Sequence, residues 1–215
     1  MMKKQSLKIL FLCCLGNLFL NCYHSKKEDI AILILLSRQS SPIRITVVGD
    51  SLSQWSDTFG LKNKLPASYQ ITDVSKAGYD TTQWLTELSV VESIPTDIWI
   101  VELGTNDASY YGTNGFLERY TQLIERLSNR PFSIFLLSTV PITNQVGLHQ
   151  SIQKNNESIR ALVQSNQKYR LADLEQAFSN TGNATGLYSI ADPIHPNQIG
   201  YEIIGETYRK ILLGF

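Results

Sequence analysis

Five short apolar runs alternating with five helical stretches predict an α/β domain built on a five-stranded parallel sheet, covered by helices on both faces. The runs are Ile43 to Val48, Tyr69 to Val74, Asp97 to Leu103, Phe132 to Thr139 and Tyr169 to Leu174. The first is the clearest: it is short and β-branched, as expected of a strand buried on two sides, and Gly49 then permits a tight exit into a helix. Helical stretches lie near Ser53 to Lys64, Thr81 to Val91, Asn114 to Asn129, Leu148 to Asn166 and Pro196 to Leu213. Right-handed crossovers leave few topologies, and ligands of such sheets bind beyond the carboxyl ends of the strands, near the switch point. The segments that follow the strands are therefore where function is sought.

The chain has 215 residues, 43% of them hydrophobic and 18% charged, which suits one globular domain with a full core. Residues 1–22, "MMKKQSLKILFLCCLGNLFLNC", form a separate segment: a basic start, then an apolar run from Ile9 to Leu20 broken only by Gly16 and Asn17. The run is short for a membrane span and has the layout of an export signal. Ending at Cys22, it resembles a bacterial lipoprotein signal, in which that cysteine carries the lipid and ties the protein to the cell envelope; plain secretion and an uncleaved anchor are the alternatives. Residues 23–42 read as a tether containing an apolar stretch, Ile30 to Leu36, and residues 43–215 as the folded domain.

Cys13, Cys14 and Cys22 all lie in the leader, which leaves the folded region without a disulfide framework, a thiolate nucleophile or a cysteine metal site. Without the leader the balance changes from 19 basic and 19 acidic side chains to 16 and 19, about minus three. Nothing in that charge favours nucleic acid, whose binders carry a basic stripe.

A serine at the end of a strand raises two readings. Ser51 in "VVGDSLSQW" suits a helix cap, as Asp50 and Ser53 also do. It equally suits a nucleophile at a helix N-terminus, where its own amide faces the cleft and the helix dipole favours negative charge. A serine nucleophile needs a base, and there are three histidines. His24 lies in the tether. His149 opens the fourth helical stretch and reads as a cap-region or surface residue. His195 sits in "ADPIHPNQIGYEII", held out of helical geometry by Pro196, which suits the first position of the closing helix. Asp192, three residues earlier, is near enough to orient the ring and stabilise its charged form. Two further donors follow other strands: the Gly78 amide, where the missing side chain allows close approach, and the Asn106 carboxamide. Both also suit ordinary turns. Tyr79, Trp84, Tyr110 and Tyr111 fall in or near the same loops, where aromatic rings support an acyl chain, stack on a sugar or simply pack.

Gly49-Asp50-Ser51-Leu52, Gly78, Gly104-Thr105-Asn106-Asp107 and Asp192-Pro193-Ile194-His195-Pro196 together resemble, in order and spacing, the four blocks of the SGNH, or GDSL-type, hydrolases. The Gly-x-Ser-x-Gly elbow of ordinary α/β-hydrolases is absent. The resemblance implies a three-layer, flavodoxin-like fold for residues 43–215. It further implies Ser51 as nucleophile, His195 as base and Asp192 as its orienter, with the Ser51 amide, Gly78 amide and Asn106 side chain as oxyanion hole. The expected activity is hydrolysis of short or small acyl esters through an acyl-enzyme, without metal or organic cofactor. Lysophospholipase or thioesterase activity of the same family is the nearest alternative. A surface lipoprotein using the fold only to bind is another, and a phosphate or flavin binder is disfavoured by the acidic "GDSLSQWSD". The expected partners are a small-molecule or lipid ester and, through Cys22, a membrane.

Overall fold

The computed structural model describes residues 41–128 and 133–215. The leader, all but the last two residues of the tether, and the expected element limits Asn129 and Phe132 lie outside the described residues. Five strands form: β1 Ile43–Gly49, β2 Tyr69–Asp73, β3 Ile98–Glu102, β4 Ile134–Ser138 and β5 Tyr169–Ala172. They pair in the order β2-β1-β3-β4-β5, every neighbour parallel. The chain leaves β1 toward one side and, after β2, crosses to the other, so the switch point falls between β1 and β3.

The strands bury both faces, as their apolar runs require. Ile45, Val47, Ile98, Ile100 and Leu136 point to one side, against Leu61 of α2 (Leu61–Lys64) and Ile204, Tyr208 and Leu212 of α8 (Gln198–Leu212). Val48, Trp99, Val101, Phe135 and Leu137 point to the other. There they meet α3 (Thr81–Glu92) through Trp84, Leu88 and Val91, and α5 (Phe116–Leu127) through Phe116, Tyr120 and Leu123; Ile159 of α6 (His149–Gln164) closes this layer. The result is the expected three-layer arrangement.

Helix starts follow from local chemistry. Asp80 caps α3 by accepting from Thr82 N (2.7 Å) and Gln83 N (2.9 Å), while Gln83 Oε1 accepts from Asp80 N, a reciprocal box. Asn197 caps α8, accepting from Ile199 N and Gly200 N. The closing helix thus begins at Gln198, and Pro196 lies before the cap rather than at the first helical position. Two short helices arise where only loops were expected, α4 (Thr105–Tyr111) and α7 (Leu174–Ser179).

The helix expected over Ser53 to Lys64 is split into α1 (Ser51–Trp55) and α2. Between them Asp57, Thr58 and Phe59 all adopt positive φ, at 47°, 58° and 58°. Each such residue costs about 1–3 kcal/mol. Burial of Phe59 against Tyr208, ring centroids 5.2 Å apart, returns about 1.5–3 kcal/mol. Hydrogen bonds supply more: Ser56 Oγ donates to Leu52 O (2.7 Å) and accepts from Phe59 N (2.9 Å), and Thr58 Oγ1 donates to Asp73 (3.0 Å). A helical pattern in the sequence does not register these side-chain competitors.

Glu102, the last residue of β3, lies opposite Gly49 and is 1% exposed. Neither carboxyl oxygen has a hydrogen-bond partner among the described residues. Burial, reinforced by the Asp50 and Asp73 carboxylates, pushes its pKa well above the ordinary range and favours the protonated form. The folded state therefore keeps a proton that the unfolded chain releases above about pH 4.3. Stability must fall as pH rises from there toward the raised folded value, by up to about 1.4 kcal/mol per unit. Glu102→Gln removes that slope. In urea melts between pH 5 and 7, the variant should lose on the order of 1 kcal/mol less than the wild-type protein; equal losses would mean the carboxyl ionises freely in the fold.

Candidate active site

The serine is delivered by a close approach that only glycine allows. A Cβ on Gly49 would lie 2.1 Å from Ser53 Oγ and 3.1 Å from Glu102 O. Asp50, not Ser51, takes the cap position, its side chain accepting from Leu52 N at 2.9 Å. Ser51 is thereby the first residue of α1, 8% exposed, and its backbone N–H is among those a helix cannot pair internally.

The Ser51 hydroxyl lies 2.9 Å from His195 Nε2, and His195 Nδ1 lies 2.8 Å from Asp192 Oδ2. An ionised carboxylate only accepts, so the neutral ring carries its proton on Nδ1 and presents Nε2 to the serine as an acceptor. Asp192 Oδ1 meanwhile accepts from Ile194 N (3.1 Å) and His195 N (2.9 Å). Partial burial alone would raise this carboxyl, but the bonds from the His195 backbone and ring and from Ile194 outweigh it and hold the pKa below the usual range.

The loop bearing this pair is tied down from three directions. Asn197 N donates to Leu187 O (2.7 Å) and its side-chain amide to Gly186 O (2.9 Å). Asn144, in the loop after β4, donates from its backbone to Pro193 O (2.7 Å) and from its side chain to Thr185 O (2.9 Å). Trp55 stacks on His195, ring centroids 4.4 Å apart and tilted by 43°. Sequence reasoning missed all three. The cap signature of Asn197, a side-chain acceptor just before an apolar helix, was available; the contacts of Asn144 and Trp55 leave no local signal.

Gly78 and Asn106 reach the same place. Lys76 N donates to Gly49 O (3.2 Å), prolonging the β1–β2 alignment, and Gln54 Oε1 in α1 accepts from Ala77 N (2.8 Å). These bonds draw the following turn against α1. Gly78 adopts φ +81°, and a Cβ there would meet nothing within 4 Å. The backbone conformation itself thus favours glycine, and the missing side chain leaves the amide open to close approach, as the sequence suggested. Its N–H has no acceptor among the described residues. Asn106, in the first turn of α4 beyond β3, donates through Nδ2 to Tyr79 O (3.0 Å) and Asp50 Oδ2 (3.2 Å). It therefore bridges the residue before Ser51 and the residue after Gly78. Asp50 is buried, and desolvation pushes its pKa up to about 7 against the opposing Leu52 N–H bond, with Asp107 adding to the rise.

Other candidates fall elsewhere. His149 bonds through Nε2 to Thr143 O (2.6 Å) and fastens the loop after β4. Trp84 is 1% exposed and donates to Gly49 O (3.1 Å), so it supports the serine turn from within the core. Tyr79 donates to Glu87 (2.6 Å), while Tyr110 and Tyr111 are exposed. Among the described residues no group of three or more His, Cys, Asp or Glu side chains is placed to hold a metal ion.

Chemically, the arrangement joins a hydroxyl to an oriented imidazole, beside a helix N-terminus and two amide donors. The model of the GDSL-like lipase/acylhydrolase family matches residues 47–203. No curated protein matches the chain. The fold is similar to that of a lipolytic G-D-S-L family protein from Veillonella parvula, at 16% identity and TM-score 0.67, over 80% of this chain and 99% of that one. It is likewise similar to a lipase/acylhydrolase from Enterococcus faecalis (18%, TM-score 0.66, 80% and 95%). The catalytic domain of peptidoglycan O-acetyltransferase A from Streptococcus pneumoniae shares it too (15%, TM-score 0.63, 81% and 94%). With a family model covering most of its length and all four sequence blocks at one sheet edge, the chain belongs to the GDSL-like lipase/acylhydrolase family.

Proposed function

We propose that the protein hydrolyses short-chain acyl esters through a covalent acyl-enzyme. The observation that carries this reading is the hydrogen-bonded series Ser51 Oγ, His195 Nε2, His195 Nδ1, Asp192 Oδ2, with steps of 2.9 and 2.8 Å. Ser51 Oγ forms a bond to the ester carbonyl carbon as its proton passes to His195 Nε2. Asp192 keeps the ring in the required tautomer and stabilises the resulting imidazolium. The carbonyl oxygen gains charge and is held by the Ser51 and Gly78 N–H groups and by Asn106 Nδ2. As the C–O bond to the alcohol breaks, His195 returns the proton to the leaving oxygen. Water then enters, gives its proton to His195 and releases the acid and free Ser51.

Asn106 enters this sequence with both Nδ2 hydrogens engaged. Its longer bond, to Asp50, is the one to be shared with or given up to the oxyanion. Because Asp50 is easily kept neutral where it sits, giving up that bond leaves no strongly unsatisfied charge behind. The leader further suggests that the activity is displayed on the cell envelope by a lipid on Cys22. That reading rests on sequence alone, and loss of membrane association in Cys22→Ala would support it.

On a nitrophenyl ester of a short acid, Ser51→Ala should lose about 10⁴-fold or more in kcat, and Asp192→Asn on the order of 10⁴-fold. Asn106→Ala should lose about 100–1000-fold in protein that still folds, with a cost to stability of about 1–3 kcal/mol from the lost bonds to Asp50 and Tyr79. Wild-type protein should react with a fluorophosphonate probe and Ser51→Ala should not; wild-type rates in Ser51→Ala would refute the assignment.

A further inference from the structure

Among the described residues Trp55 is the aromatic side chain that packs on His195, and it lies one helical turn beyond Ser51. Its indole is 62% exposed although it stacks on a ring whose side chain is only 20% exposed. The core does not need it there. The helix ends at Trp55 because Ser56 and the left-handed run from Asp57 turn the chain inward, leaving the indole outside over the imidazole.

From this placement we infer that Trp55 is the leaving-group shelf of the enzyme and selects esters of apolar alcohols. The inference rests on the ester-hydrolase reading above. In that reaction the leaving oxygen must come within about 3 Å of His195 Nε2 to receive its proton. With the indole centroid 4.4 Å from the imidazole centroid, the first carbons of the alcohol fall in van der Waals range of Trp55. The carbonyl oxygen points elsewhere, to the donors of Ser51, Gly78 and Asn106.

The surroundings favour an apolar alcohol over a sugar. Between Ser189 and Glu202 the only charged residue is Asp192, which is spent on His195. The Asn197 side chain is spent on Gly186, Ile199 and Gly200, and the Gln54 side-chain oxygen on Ala77. What the same segment offers to solvent is Ile190 and Ile199, 104% and 64% exposed. An indole flanked by committed polar groups recognises a flat or extended hydrocarbon by area and gives a polyol few hydrogen bonds.

The test compares benzyl acetate with 2-hydroxyethyl acetate, which share one acyl group and have alcohols of similar acidity. In Trp55→Ser, kcat/KM for the benzyl ester should fall about tenfold relative to that for the hydroxyethyl ester. Trp55→Phe should restore most of that ratio, and in Trp55→Ser the labelling of Ser51 by a fluorophosphonate probe, which expels only fluoride, should slow no more than turnover of the hydroxyethyl ester does. An equal loss on both esters would overturn the shelf and leave Trp55 as a support for His195. A selective loss on an acetylated methyl glucoside instead would overturn the preference for apolar alcohols. If wild-type protein neither labels nor differs from Ser51→Ala, the hydrolase reading itself fails; if it labels and turns over but the ester ratio stays fixed in Trp55→Ser, only the shelf does.

Discussion

The hydrogen bond between Ser51 and His195 joins residues 144 positions apart, and much of the architecture serves to make it. Ser51 is fixed by the end of β1, in the middle of the sheet. His195 arrives from the far end of the chain, on a loop with no strand of its own. Its position depends on what that loop is fastened to: the Leu187 and Gly186 carbonyls through Asn197, and the segment after β4 through Asn144. Because α8 packs Ile204, Tyr208 and Leu212 onto the same sheet that carries Ser51, the loop is anchored from the core side as well. A single geometry is thus set by packing at one end and by backbone hydrogen bonds at the other.

Beneath this bond lies an electrostatic arrangement that would be costly if its groups were charged. Asp50, Glu102 and Asp107 are all buried, and desolvation leads the rise of each carboxyl above its ordinary pKa. Asp107 has partners in Thr81 N (3.1 Å) and Arg119 Nη2 (3.2 Å); Glu102 has none among the described residues. Three ionised acids here would oppose the negative charge that ester attack places on the carbonyl oxygen. Held neutral by burial, Glu102 adds no such field, and Asp50 can cap α1 and orient Asn106 while carrying at most a partial charge near neutral pH. The same burial that costs stability as pH rises keeps the floor of the site electrically quiet.

Much of this was legible in the sequence because it is local. The β-branched run before Gly49, the alternation of strands and helices, and the four short blocks each reflect a constraint on neighbouring residues, and all five strands and the Ser51, Asp192 and His195 cluster appear where those patterns put them. What was not legible is non-local or conformational. Gly78 suits close approach to its amide, as its sequence suggests, but its φ of +81° is a conformational demand that no local pattern announces. For Trp84, near the loops at the start of a helix, substrate contact and packing were both open; Leu88 and Val91 on the same helix face carry it into the core. The break after Trp55 is set by Ser56 Oγ capturing backbone groups and by Phe59 finding Tyr208, and neither alters a helical periodicity.

That break connects the energetics of the fold to the face of the site. Had α1 run on to Lys64, Phe59 and Leu61 would have had to meet the core in a continuous helical register. Instead three left-handed residues bring Phe59 and Leu61 inward at separate angles, and their burial offsets the strain. Strain of this kind persists where surrounding contacts over-determine it, and here they do: Thr58 is tied to Asp73 at the end of β2, and Phe59 to Tyr208 of α8. The shortened helix leaves Trp55 as its last residue, with no neighbouring turn to cover the indole. An aromatic surface beside the His195 imidazole is in this sense a consequence of how the chain resolves its own packing between β1 and β2.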